Sequence, residues 1–411
     1  MRKSVFMLFL LSLPIISRAQ WLQTNLDPGA AYYLFSDDSG LYAGTETGVY
    51  FTSESGDPWF SIGPEDLIFS VITSGNKIIA GSGIGKGIWL STDRGKNWDS
   101  ASGILDQSIY TLCQKDNYLF AGTWGGGVFR SSDQGDTWNK VGLDGEPVEA
   151  IFSTGDTVFA GGADNRGVAT VSYSTDNGDS WVARYLPYPA SRIRCFAYKN
   201  GRLFAGGDGG LYASDDSGNN WFLLYGVTFD SLGNVIDGKI FRSLAVYDQY
   251  LIAGISFNSI RISADNGLTW SDFNDGLYTD WTFLGLTVKD SYLWSLRDFF
   301  GNAYRRPLTD LVTSLPDEAL IVPSANKLYQ NYPNPFNPST RIKYQVHQKG
   351  FVSLKIYNIL GCEIATLVEE DKPQGAYEVN FNGAHFSSGV YFYSLRIGRT
   401  FVETRRMILL R

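Results

Sequence analysis

Short apolar runs recur along the first three quarters of the chain with a single rhythm. The clearest reads Leu41-Tyr42-Ala43-Gly44, and versions of it stand at residues 78–81, 119–122, 158–161, 203–206 and 251–254. A seventh, at 293–296, ends in Leu rather than Gly. Each is followed by a Gly-rich loop and another apolar run, such as Gly127-Val128-Phe129-Arg130, and preceded by one, such as residues 109–112. A polar turn ending in Trp then intervenes: Ser131-Ser132-Asp133-Gln134-Gly135-Asp136-Thr137-Trp138. Its spacing, Ser-x-Asp-x-Gly-x-x-Trp, returns at 91–98, 174–181, 214–221 and 263–270, and in worn form at 52–59. With a strand beginning at each Trp, every repeat offers four short strands in about 40 residues, which predicts one blade of a β-propeller.

The turn has a physical logic. Ser and Asp side chains accept hydrogen bonds from backbone amides just ahead of them. The Gly takes a backbone angle that other residues resist, and the Trp anchors the next strand in a core. Asp93, Asp133, Asp176, Asp216 and Asp265, with Trp98, Trp138, Trp181, Trp221 and Trp270, are therefore expected to be structural.

Seven Leu-Phe-Ala-Gly-like runs predict seven blades. The last repeat stops at Tyr304-Arg305-Arg306-Pro307, before any Trp strand. The first begins Trp21-Leu22-Gln23-Thr24-Asn25-Leu26, which matches Trp138-Asn139-Lys140-Val141-Gly142-Leu143. The N-terminal strand is thus expected to close the seventh blade and remove the open edges of a linear array. A solenoid would need capping repeats, and none is visible. Residues 1–19 carry Arg2 and Lys3, an apolar core at 5–16 and small residues before Gln20, the pattern of a signal peptide. An uncleaved anchor is the alternative, but the apolar run is short for a membrane span, and no later segment is long and apolar enough.

Residues 20–308 form the predicted propeller and 309–327, with Pro316 and Pro323, a linker. From 328 to 411 the pattern changes to period-two alternation. Ile342, Tyr344 and Val346 alternate with polar residues, as do Val352, Leu354 and Ile356, and Tyr391, Tyr393 and Leu395. A small antiparallel, Ig-like β-sandwich is expected. The fold class is therefore all-β, a seven-bladed propeller followed by a sandwich.

Composition sharpens this picture in three places. The net charge of −8 argues against a nucleic-acid partner. Residues 328–411 hold ten Lys/Arg against six Asp/Glu, so the first 327 residues carry a net −12. Cys113, Cys195 and Cys362 are too few for a disulfide framework, and His347 and His385 both lie outside the repeats. No His-based metal site or Ser-His-Asp triad fits within the repeats, and no cofactor is indicated.

Two resemblances follow. The Ser-x-Asp-x-Gly-x-x-Trp turn resembles the Asp-box, or BNR repeat, of sialidase-like propellers, which implies a structural hairpin away from the ligand face. Residues 328–411 closely resemble the type A C-terminal sorting domain of the type IX secretion system. The matching stretches are Asn331-Tyr332-Pro333-Asn334-Pro335-Phe336-Asn337-Pro338, Ser388-Gly389-Val390-Tyr391-Phe392-Tyr393 and Glu403-Thr404-Arg405-Arg406-Met407-Ile408-Leu409-Leu410. That resemblance implies passage through the periplasm, then delivery by the type IX machinery to the outer cell surface or the medium, commonly with loss of the tail. An ordinary adhesive sandwich is the alternative.

Aligning the repeats places Tyr32, Phe69, Tyr110, Glu149, Arg194, Arg242 and Leu284 at one position near a channel mouth. Loops on that side add Trp124, Tyr188, Tyr225, Phe229, Phe299 and Phe300, and the longest insertion, 225–240. Tyr110, Trp124, Glu149, Arg194 and Arg242 are the candidate ligand-binding residues for a glycan or protein polymer. The same side chains could instead plug the channel, with Glu149 paired to Arg194. Arg192, Arg194 and Arg242 with Tyr110 and Glu149 are also similar to part of a sialidase site. Against a hydrolase stand the missing Arg-Ile-Pro stretch, seven blades where that family usually has six, and no Asp evident at the mouth. A scaffold without a small ligand remains the third reading.

Overall fold

The computed structural model describes residues 20–411 apart from 54–55, 165, 188–189, 230–234, 258, 278–280, 299–300, 315–325, 332–333, 374, 399–400 and 411. The proposed signal peptide thus lies outside the described residues. The chain divides into two compact units, Met1–Ser314 and Leu315–Arg411. Among the described residues no helix is long and apolar enough to cross a membrane.

The first unit is a seven-bladed propeller. Six blades are four-stranded antiparallel meanders in sequence order. Their inner strands are Ala31–Asp37, Ile68–Ser74, Ile109–Lys115, Val148–Thr154, Arg192–Lys199 and Phe241–Tyr247. The seventh takes Phe283–Lys289, Tyr292–Arg297 and Ala303–Pro307 from the end of the repeat and Leu22–Gln23 from its start. Leu22 pairs with Arg305 and Gln23 with Tyr304. A two-stranded hairpin, Val227–Phe229 with Val235–Gly238, is inserted between blades five and six.

The Ala-Gly ending of the second strands is explained by the neighbouring blade. A Cβ on Gly122 would lie 2.6 Å from Thr111 Cγ2 and 2.8 Å from Val148 Cγ1. On Gly161 it would meet Ile193 Cγ2 at 2.6 Å. Blades therefore approach too closely for any side chain there. At the seventh blade Leu296 takes that position, and its strand partner is Gly285. A Cβ on Gly285 would come 3.0 Å from Leu34 Cβ, so the small residue has moved to the facing strand.

Closure is reinforced by a buried clasp. Trp21 is 3% exposed; its Nε1 donates to Phe273 O at 2.6 Å, and its backbone N to Asp275 O at 2.8 Å. Arg306 is fully buried, with its guanidinium 3.8 Å from the Phe273 ring centroid and ion pairs to Asp275 and Asp310. Asp310 belongs to a short helix, Thr309–Ser314, where the sequence suggested the start of a linker. Leu311 of that helix is buried, so these residues belong with the propeller's own core.

The Trp-ended turns are self-bonded. Ser131 Oγ donates to Asp133 Oδ1 at 2.7 Å and accepts from Gly135 N at 2.9 Å. Asp133 also accepts from the Thr137 amide and hydroxyl, and Trp138 Nε1 donates to Gly135 O at 3.0 Å. Gln134 and Gly135 have φ of 58° and 94°, the left-handed pair that Gly makes tolerable. Asp93, Asp176, Asp216 and Asp265 make the equivalent bonds. Trp138 and Trp221 are buried, whereas Trp98, Trp181 and Trp270 are half-buried. Trp98 and Trp181 also reach back to the preceding blade, donating to Ile62 O and Val141 O. In the worn copy Trp59 Nε1 donates instead to Thr24 Oγ1 of the closing segment.

The second unit is a seven-stranded sandwich of a three-stranded and a four-stranded sheet. Its core takes the alternating Ile342, Tyr344, Val346, Val352, Leu354, Ile356, Tyr393 and Leu395. The segment before the first long strand is bonded onto the last strand, Phe401–Leu409. Phe336 N donates to Ile408 O, Leu410 N to Phe336 O, and Asn334 Oδ1 accepts from Ile408 N. Buried Asn331 bonds Tyr393 OH and Thr340 Oγ1. The opposite edge strand, Glu363–Lys372, is left uncovered in its own sheet and ends in Glu369-Glu370-Asp371-Lys372, charges that discourage further pairing.

Candidate functional site

All seven inner strands carry the same irregularity. In the third blade Ile109 pairs with Thr123 and Thr111 with Gly122, so Tyr110 has no partner. The skipped residues in the others are Tyr32, Phe69, Glu149, Arg194, Arg242 and Leu284. A bulge of this kind re-aims one side chain out of the pleat. The seven line one central cavity of about 360 Å³. The positions aligned from the sequence are thus the bulged ones.

Half of the ring is aromatic. Tyr32 and Phe69 meet edge-on at 5.0 Å, Phe69 and Tyr110 at 5.2 Å, and Tyr110 stacks on Trp124 at 5.2 Å. The other half is ionic. Arg194 Nη1 pairs with Glu149 Oε2 at 2.9 Å, and its Nε and Nη2 form a fork on Asp208 at 2.7 and 3.0 Å. Arg192 lies 3.4 Å from Glu149 Oε1 without a hydrogen bond, and its guanidinium covers the Trp124 ring at 5.2 Å. It thereby joins the two halves. Arg242 Nε donates to Ser256 Oγ at 2.9 Å.

The electrostatics follow from burial. Desolvation pushes the Glu149 carboxyl above its ordinary 4.5, and Arg194 and Arg192 only partly offset it. Burial opposes the Arg194 charge, but the bonds to Asp208 and the Glu149 charge outweigh it and hold that guanidinium above its usual range. Arg242 moves the other way, lowered by burial and then by Arg194. The Tyr110 hydroxyl is raised by burial and then by Glu149.

The structure therefore brings Tyr110, Trp124, Glu149, Arg194 and Arg242 together, including the Glu149–Arg194 pair. Tyr225 instead packs against Phe241 and Trp270, away from the ring. Tyr188, Phe299 and Phe300 lie outside the described residues, as does the side chain of Phe229. Asp208 and Ser256 were missed. Both directly follow or end a second strand, two residues beyond its Ala-Gly pair, and that fixed offset was the available signal. The Trp-ended turns lie at the other end of the blades. Lys77, which opens the second strand of its blade, and Lys115, which ends its inner strand, reach Asp136 and Asn177 in the turns of the next blade.

Residues 330–410 match the family described as "Secretion system C-terminal sorting domain". This tail indicates secretion by the type IX route to the cell surface or beyond. No curated protein matches the chain. Among solved structures, YCF48 from Cyanidioschyzon merolae is similar at 15% identity over 70% of this chain and 100% of that one, with a TM-score of 0.56. A structure described as YCF48 bound to D1 peptide is similar at 15% identity over 70% and 94%, with a TM-score of 0.54. PorZ, described as an essential surface component of the type-IX secretion system of Porphyromonas gingivalis, is similar at 14% identity over 92% of this chain, with a TM-score of 0.53. The chain covers 59% of PorZ. At these identities the likeness is one of fold, that of the β-propeller.

Proposed function

We propose that this exported propeller binds a protein or glycan polymer at its channel mouth, after removal of residues 1–19 and delivery by its sorting tail. The observation that carries this reading is the ring of seven bulged side chains, aromatic on one side and ionic on the other, around an unfilled cavity of about 360 Å³. A plug would have closed that space; here the local pairs leave it open. Peptide binding by a propeller of this fold is described for YCF48 with D1 peptide. We take the Trp-ended turns to be Asp-boxes with a structural role, since side chains such as Ser131 and Asp133 spend their bonds within the turn.

A sialidase-like hydrolase has less support. It would need an activated Tyr, yet burial and then Glu149 raise the Tyr110 hydroxyl, and Asp208 is committed to Arg194.

The test is a glycan array and a peptide array probed with the wild type and Trp124→Ala. Trp124 is 47% exposed, so its removal should leave the melting temperature within a degree or two, while weakening any retained ligand about tenfold or more. A ligand bound equally by both proteins, or none on either array, overturns the reading.

A further inference from the structure

Among the guanidinium groups of the mouth, one is underused. Arg194 spends Nε, Nη1 and Nη2 on Asp208 and Glu149. Arg192 sits against Glu149 and Trp124. Arg242 makes a single hydrogen bond, from Nε to the neutral Ser256 hydroxyl. Its two terminal nitrogens have no hydrogen-bond partner among the described residues, although Arg242 lines the cavity. Asp208, Asp298 and Glu149 act on it only through space. A half-buried guanidinium with unused N–H donors is a costly arrangement that an incoming anion relieves, and a carboxylate matches its fork.

The surroundings say what the anion is attached to. Beyond Trp124, the loops of blades two and three expose Ile84 and Leu105, 57% and 56% accessible. These loops are bonded together, Gly87 N to Gln107 O and Trp124 N to Ser108 O, both at 3.0 Å. Aliphatic surface beside an aromatic arc buries apolar side chains and offers nothing to the hydroxyl rim of a sugar.

We propose that Arg242 is the anion-receiving point of the mouth and that the polymer is a polypeptide, presenting a carboxylate to Arg242 beside an aromatic or aliphatic side chain held on Tyr32, Phe69, Tyr110 and Trp124. This rests on the mouth being a binding site, and the experiment separates the two ideas. The probes are 3-phenylpropionate, its neutral amide 3-phenylpropanamide, and glucuronate, titrated by calorimetry. The acid should bind at least about tenfold more tightly than the amide, as expected for a charge-assisted pair. Arg242→Gln should make acid and amide equal, and Arg242→Lys should keep part of the difference, while Trp124→Ala should weaken both probes. Equal binding of acid and amide by the wild type overturns the anion subsite but leaves the mouth standing. Tighter binding of glucuronate than of 3-phenylpropionate overturns the polypeptide assignment. Binding of the two aryl probes unaffected by Trp124→Ala overturns the mouth itself.

Discussion

Replacing Trp21 with Ala tests the closure of the ring at one residue. The indole is 3% exposed, meets the Phe273 ring edge-on at 5.9 Å and donates a 2.6 Å hydrogen bond to Phe273 O. Truncating a buried aromatic costs about 3–5 kcal/mol. The aromatic pair adds about 0.5–1.5 kcal/mol that area alone misses. The lost hydrogen bond adds less than usual, because Phe273 O keeps Arg306 Nη1 at 3.3 Å. An expected loss of about 4 kcal/mol follows, read from urea unfolding. The loss should also be local. Hydrogen exchange should rise most at Leu22–Gln23 and Ala303–Pro307, and least at Ile109–Lys115, three blades away. Trp21→Phe should restore most of the stability. A loss below about 1 kcal/mol, or protection lost evenly around the ring, would refute the clasp.

Three further outcomes are expected. Burial opposes the Asp133 charge, but bonds from Thr137 and Ser131 outweigh it and hold the carboxyl at about 2, below its ordinary 3.8. The sign is that of a depressed acid: its stabilisation is present above pH 4 and disappears as pH falls towards 2, so Asp133→Asn should flatten acid unfolding in that window, and an unchanged acid limb would contradict the turn's role. Gly122→Ala should cost about 1–3 kcal/mol by overpacking against Thr111 and Val148, whereas a melting temperature equal to wild type would show that blades yield more easily than the close approach implies. Deleting residues 328–411 should leave propeller unfolding unchanged and trap the protein in the periplasm, and surface display of the truncated chain in its host would show that the address lies elsewhere.

The blade count, the closing strand and the ring positions were legible because each is repeated, and repetition fixes register without any knowledge of contacts. The seven bulged positions emerge from alignment alone, since a bulge shifts the same residue in every blade. What repetition could not reveal were features that occur once. Arg306 reads as a basic residue at a strand end, yet it is fully buried under Phe273. The helix after it has no counterpart in other blades among the described residues. Asp208 was invisible as an acid at the mouth because its role depends on Arg194 lying across the pleat. The exchange of Gly for Leu296 reads as a lapse in the pattern until Gly285 is seen opposite.

The shared seventh blade also makes order of arrival matter. Thr24 bonds Ala303, 279 residues later. A chain threaded across a membrane from its N-terminus delivers the closing strand first and its partner strands near the end. Blades one to six can fold on local contacts as they emerge, but Leu22–Gln23 must wait, unpaired, for Ala303–Pro307. Any chain that stalls or is cut before that point keeps two bare strand edges facing each other across an open gap. The latch thus depends on complete passage: Leu22–Gln23 finds its partner strand only once Ala303–Pro307 has been delivered.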